Sequence, residues 1–227
     1  MKKLILAAFA LTTAASVFAQ GTVIFNNRVV GTVVQHVYAP LATAPGFSQI
    51  GNGSNDTASS NTVWTGFSLI GNLGTAGLYQ GATTMAQLLS APGAGATEAS
   101  LVPQSPIGTF RTGAGAGWVQ GAMTATLGNV GPDAAVATLE MVAWDNSTGL
   151  YPTWTQAFPA WTRGLIAAGE SGRFNLNAIG GSANIAPSMG GLQSFNLYSL
   201  TIIPEPSTFA LAGLGLAALV AFRRRSK

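Results

Sequence analysis

Apolar and polar positions alternate along the interior of this chain, and Gly, Pro and Asn interrupt the alternation every few residues. That is the pattern of short β-strands separated by turns. Residues 22–25 and 29–38 open the series, with Asn26 and Asn27 as the turn between them and Gly31 as a bulge. Residues 39–62 carry Pro40, Pro45, Gly46, Gly51 and Gly53 among Ser, Thr and Asn, so they form a loop, long for a connection. In residues 63–70, Val63, Thr65, Phe67 and Leu69 share one strand face and Trp64, Gly66, Ser68 and Ile70 the other. Thr83 and Thr84 cap a short helix over 85–90 that stops at Pro92 and Gly93. Residues 101–111 give two extended pieces, which Pro103 and Pro106 confine to a sheet edge.

The strongest strand signals lie at 118–127 and 134–144, which the intervening turn 128–133 predicts to be a central hairpin. The period then changes: Trp154, Phe158, Trp161 and Leu165 recur at helical spacing, so a helix is expected over 153–168. Pro159 should kink or restart it near Phe158, and Gly169 should stop it. Strands resume at 173–178 and 194–203. Strands without regular strand-helix alternation, plus one late helix, predict a mainly β domain over 20–203. Its expected architecture is a two-sheet antiparallel β-sandwich with the helix inserted at about 153–168. No repeat of fixed period runs through it.

Both ends of the chain follow a different logic. Lys2 and Lys3 precede the apolar run 4–11, and Val17, Phe18 and Ala19 supply small-residue cleavage chemistry. Residues 1–19 thus read as a signal helix, cut between Ala19 and Gln20, with the secretion machinery and signal peptidase as partners. At the other end, an uncharged apolar run over 209–222 predicts a transmembrane helix of about 21 Å. It is short for a hydrocarbon core of about 30 Å, so it spans only marginally. Arg223, Arg224, Arg225 and Lys227 stop it on the cytoplasmic side, which places the body across the membrane.

Pro204, Glu205 and Pro206, the short apolar helix and the terminal arginine cluster, in that order, resemble the PEP-CTERM sorting signal of bacteria that export surface proteins and exopolysaccharide. The resemblance covers residues 204–227 and implies that an exosortase recognises Pro204, Glu205 and Pro206, removes the tail and releases the body. A membrane-anchored precursor then gives way to a protein of the cell envelope or extracellular matrix. On this reading the chain is the substrate of the sorting enzyme, and its own body is structural or adhesive.

Charge supports the division into three parts. The formal net charge of +3 comes from the two ends. Between Gln20 and Ile203 the chain has Arg28, Arg111, Arg163 and Arg173 against Asp56, Glu98, Asp133, Glu140, Asp145 and Glu170, a net of −2. Four separated arginines cannot build the cationic face that displaces counterions from phosphate, so nucleic acid is excluded as a partner. The absence of cysteine removes disulfides and thiolate chemistry.

Catalytic and cofactor motifs are not legible, and we expect a non-enzyme without a cofactor or metal. His36 is the only histidine, and a lone strand histidine is usually structural. No Gly-x-Ser-x-Gly elbow, His pair or phosphate loop accompanies it. Glu140 and Asp145 are the carboxylates to weigh as a glycosidase pair, but five positions apart on a strand they face opposite ways. Asp145 to Gly149 reads as an Asx turn rather than a calcium loop. Asn52, Asn55 and Asn146 fit glycosylation acceptor patterns but read as turn residues. Trp154 and Trp161 fall on the helix stripe, leaving Trp64, Trp118 and Trp144 as candidate sugar-stacking rings. Two alternatives therefore stand beside the structural reading: a carbohydrate-binding module associated with exopolysaccharide, and a secreted carbohydrate-active enzyme.

Overall fold

A computed structural model describes residues 20–73 and 78–200; the expected signal helix at 1–19 and the expected transmembrane helix within 204–227 lie outside them. Among the described residues the protein is mainly β, with sheets of antiparallel strands and one α-helix. Its strands in chain order are β1 (Gly21–Phe25), β2 (Arg28–Val29), β3 (Val33–Val34), β4 (Val37–Tyr38), β5 (Thr84–Pro92), β6 (Val102–Pro103) and β7 (Gly108–Thr109). They continue as β8 (Met123–Leu127), β9 (Val136–Asp145), β10 (Ala167–Glu170), β11 (Phe174–Asn177), β12 (Phe195–Asn196) and β13 (Tyr198–Ser199), with helix α1 (Trp154–Thr162) between β9 and β10. No helix among the described residues is long and apolar enough to cross a membrane.

The centre of the main sheet is the antiparallel pair β5 and β9, in register from Thr84 opposite Asp145 to Pro92 opposite Ala137. Both faces of this pair are covered. Ala86, Leu88, Ala137, Leu139, Met141 and Ala143 point into the larger core, where Val23 and Phe25 of β1 and Ala125 and Leu127 of β8 pack on them. Leu89, Val142 and Trp144 point the other way and are covered by Trp154, Ala157, Ala160 and Trp161 of α1. Strands covered on both sides are mostly apolar, and β9 is buried at every position but its first, Glu140 included.

Several expectations are corrected here. Residues 85–90 are strand, not helix: Met, Ala, Gln and Leu are good helix formers, but that preference is worth only tenths of a kcal/mol per residue and nine cross-strand pairs with β9 override it. The expected hairpin of 118–127 with 134–144 does not form, because β8 pairs with β1 across the core and β9 takes β5 instead. Residues 63–70 are turns with an isolated bridge between Tyr38 and Leu69, not a strand. Gly31, at φ +83°, forms the turn of the β2/β3 hairpin rather than a bulge in one long strand. Facing the seven-stranded sheet are two-stranded pairs, among them β1 with β8 and the parallel pair β12 with β4, instead of one second sheet. The edge placement of 101–111 does hold, as β6 and β7 both pair on β5.

The helix is shorter than its sequence stripe. It runs through Pro159 and ends at Thr162, after which Gly164, φ +67°, turns the chain and the Leu165 amide donates to the Ala160 carbonyl at 3.0 Å. Phe158 and Leu165 are exposed, and the buried face is Trp154, Ala157, Ala160 and Trp161, so small alanines let the helix lie close to the sheet. Gly169, expected as the helix stop, lies in β10, where a Cβ would overlap the Asn196 carbonyl.

Candidate functional site

The long connection after β4 is an ordered loop folded on its own side chains. Asn52 donates through Nδ2 to the carbonyls of Thr57 at 3.0 Å and Ala58 at 3.2 Å, closing the tip. The Thr57 amide donates to Val34 and Gln35 Nε2 to the Thr57 carbonyl, both at 3.0 Å, which pins the tip to β3. The Asn52 side-chain oxygen accepts from the Ser194 amide at 3.2 Å, fixing the loop to the segment entering β12. Asn52 is therefore a buried structural residue. Asn146, whose side-chain oxygen accepts from the Tyr151 amide at 2.8 Å, plays a similar part elsewhere.

Asp56 locks this loop. Its Oδ1 lies 2.6 Å from His36 Nδ1, and its Oδ2 accepts from the Gly53 amide at 2.6 Å and Ser194 Oγ at 2.8 Å. Burial pushes the Asp56 carboxyl up, but the bonds from His36, Gly53 and Ser194 together outweigh it and hold the carboxyl below the usual range. His, Asp and Ser are thus together without forming a nucleophile: Ser194 donates to Asp56, and its Oγ also accepts the His36 amide at 2.7 Å. The structural reading of His36 agrees with this geometry.

Outside that lock lies a cleft of about 460 Å³ walled by Tyr38, Trp64 and the hydroxyl and amide side chains of Ser54, Asn55, Asn61 and Thr62. Tyr38 and Trp64 stack face to face at 4.2 Å and 10°, with Phe67 edge-on to Trp64 at 5.0 Å. Trp64 Nε1 donates to the Gly51 carbonyl at 3.1 Å, so the ring is held by both stacking and a hydrogen bond. Burial and the negative charge of Asp56 push the Tyr38 phenol up to about 12, so it keeps its proton.

The other two candidate rings differ. Trp118 is half-buried, with the Arg28 guanidinium 4.0 Å above it and His36 tilted against it at 5.0 Å. Trp144 is wholly buried, with Nε1 donating to the Tyr151 carbonyl at 2.7 Å. It offers no stacking face, because this end of β9 is covered by α1. Glu140 and Asp145 do lie on opposite faces of β9, and Asp145 accepts from the Ser147 amide and hydroxyl as an Asx turn. Tyr38, Asp56 and Ser194 were missed because their assembly joins loop and strand positions up to 158 residues apart.

The sorting residues Pro204, Glu205 and Pro206 and the cations Arg223, Arg224 and Arg225 lie outside the described residues, as does Ala19; Gln20 is the first described residue and is exposed. Residues 203–225 match the family model of the PEP-CTERM protein-sorting motif. No curated protein and no solved structure matches the chain. The motif is that of an exported, membrane-anchored precursor sorted by an exosortase.

Proposed function

We propose that this PEP-CTERM chain is delivered to the cell envelope or extracellular matrix, where its body acts as a non-catalytic adhesive that holds neutral polysaccharide in the Tyr38/Trp64 cleft. The observation that carries the adhesive reading is the lining of the cleft. An aromatic wall beside uncharged hydroxyls and amides matches the apolar face and equatorial hydroxyls of a sugar ring. Catalysis is disfavoured there because the carboxylate at the cleft, Asp56, has both oxygens engaged by His36, Gly53 and Ser194. Glycoside hydrolysis needs a free pair.

Two measurements test the two parts of this reading. Mass spectrometry of envelope and medium fractions should find a mature C-terminus near residues 204–207 in an exosortase-positive host and the full tail in an exosortase deletion; full-length protein in both strains overturns processing. On a glycan array, the protein should bind neutral polysaccharide, and Trp64→Ala should weaken it more than about tenfold. Unchanged binding in Trp64→Ala, or turnover of the bound glycan, overturns the adhesive assignment.

A further inference from the structure

Three glutamates distant in sequence meet on the α1 side of the main sheet. Glu140 stands in the middle of β9, Glu170 ends β10, and Glu98 comes from the loop between β5 and β6. One carboxylate oxygen from each lies within 4.8 Å of the others. Three oxygens spread evenly around one calcium ion at about 2.4 Å stand about 4.2 Å apart, so the cluster is close to the size of a single coordination sphere.

A bulge builds this meeting point. β10 pairs Glu170 with Val142, whereas β11 pairs Phe174 with Leu139, so the strand gains one residue between them opposite β9. The extra residue keeps Glu170 on the α1 side while returning Phe174 and Leu176 to the larger core. It is held in place by Gly172 at φ +72° and by Ser171 Oγ, which accepts from the Met141 amide at 3.0 Å.

Glu140 is the second and independent observation. It is 2% exposed, and its Oε2 has no hydrogen-bond partner. A buried carboxylate oxygen without a partner is costly in a folded protein, and ligation of a cation is one of the few arrangements that satisfy it. Arg173, 3.8 Å from Glu98, is the only ion-pair partner the cluster has among the described residues, and it is engaged with the exposed glutamate rather than the buried one.

We infer that Glu98, Glu140 and Glu170 form a divalent cation site that takes calcium. An all-carboxylate donor set selects a hard cation over a transition metal. Calcium suits it better than magnesium because one ligand comes from an exposed loop and two from strands, an irregular set that a small octahedral ion tolerates poorly. An ion enters from the Glu98 side, where that side chain is 54% exposed. The bound ion ties the β5/β6 loop to β9 and β10. This site shares no residue with the glycan cleft, so it stands or falls separately from the adhesive reading.

The test uses the full-length chain in detergent, stripped with chelator and titrated calorimetrically with calcium chloride or, in parallel, magnesium chloride. Calcium should bind once per chain with a dissociation constant of about 10⁻⁴ to 10⁻³ M, as in extracellular modules. The melting temperature should rise with calcium concentration through mass action. Glu98→Gln, on an exposed loop and so harmless to folding, should weaken binding at least tenfold, and Glu140→Gln should abolish it while the apo protein stays folded. No heat and no thermal shift with calcium up to about 10 mM, well above that range, overturns the site. So does wild-type binding by Glu98→Gln, and equal affinity for magnesium overturns the calcium assignment.

Discussion

At the scale of single residues, Asp56 shows how much structure can hang on one carboxylate. Its Oδ1 and Oδ2 join β4's neighbour His36, the loop amide of Gly53 and Ser194 before β12, so its loss unfastens three segments together. Asp56→Asn keeps the shape but loses the charge-assisted bonds, and should destabilise the protein by about 3 kcal/mol in urea unfolding at pH 7. The pH dependence has a definite sign. Because the folded Asp56 carboxyl titrates lower than the unfolded one, its contribution is fully present above the unfolded value of about 3.9. It is lost as pH falls through the lower folded value. The stability gap between wild type and Asp56→Asn should therefore close on acidification below about pH 4, and a gap that stays constant to pH 2 would contradict the lock.

At the scale of elements, local pattern identified what it could reach and failed where distant partners decide. The strand signal in residues 134–144 marked β9 because its side chains are largely apolar between turn residues, and the tryptophan spacing marked α1 because one face packs on one sheet. The strand β5 was hidden, since Met85, Gln87 and Leu89 alternate with Ala86 and Leu88 as two apolar faces that look helical until β9 is placed beside them. The pairing of β1 with β8, across about a hundred residues, has no local signal at all. The cleft was half legible: Trp64 was named from its chemistry, whereas Tyr38 and Asp56 join it only through the fold. Gly169 makes the close packing of β10 against β12 testable. Gly169→Ala pushes a methyl into the Asn196 carbonyl and should cost about 3 kcal/mol in chemical unfolding. Gly93→Ala, at φ +82° but with open space around it, tests backbone strain alone and should cost about 1 kcal/mol.

At the scale of the whole molecule, the two ends and the body carry opposite charge. The full chain has a formal charge of +3, whereas residues 20–203 carry −2, so removal of both ends converts a basic precursor into an acidic product. Isoelectric focusing of cells and medium should show a basic species replaced by an acidic one only where exosortase is active. A single basic species in every fraction would argue for permanent anchorage. The acidic body is also consistent with a molecule that gathers cations and neutral polymer rather than nucleic acid.

The sorting motif begins at residue 203, only four positions beyond the end of β13. Any tether applied to the C-terminus therefore pulls almost directly on a strand held to β10 by two residue pairs, Ala167 with Ser199 and Ala168 with Tyr198. An edge strand loaded in this way peels off one bond at a time instead of shearing as a unit. The next point of resistance is Trp161 Nε1, which donates to the Tyr198 carbonyl at 3.0 Å and ties the strand to α1. Behind it come the parallel pairing of β12 with β4 and the loop that Asp56 fastens through Ser194. Drag on a body held at its tail would thus meet a graded series of catches, the last of them joined to the walls of the Tyr38/Trp64 cleft.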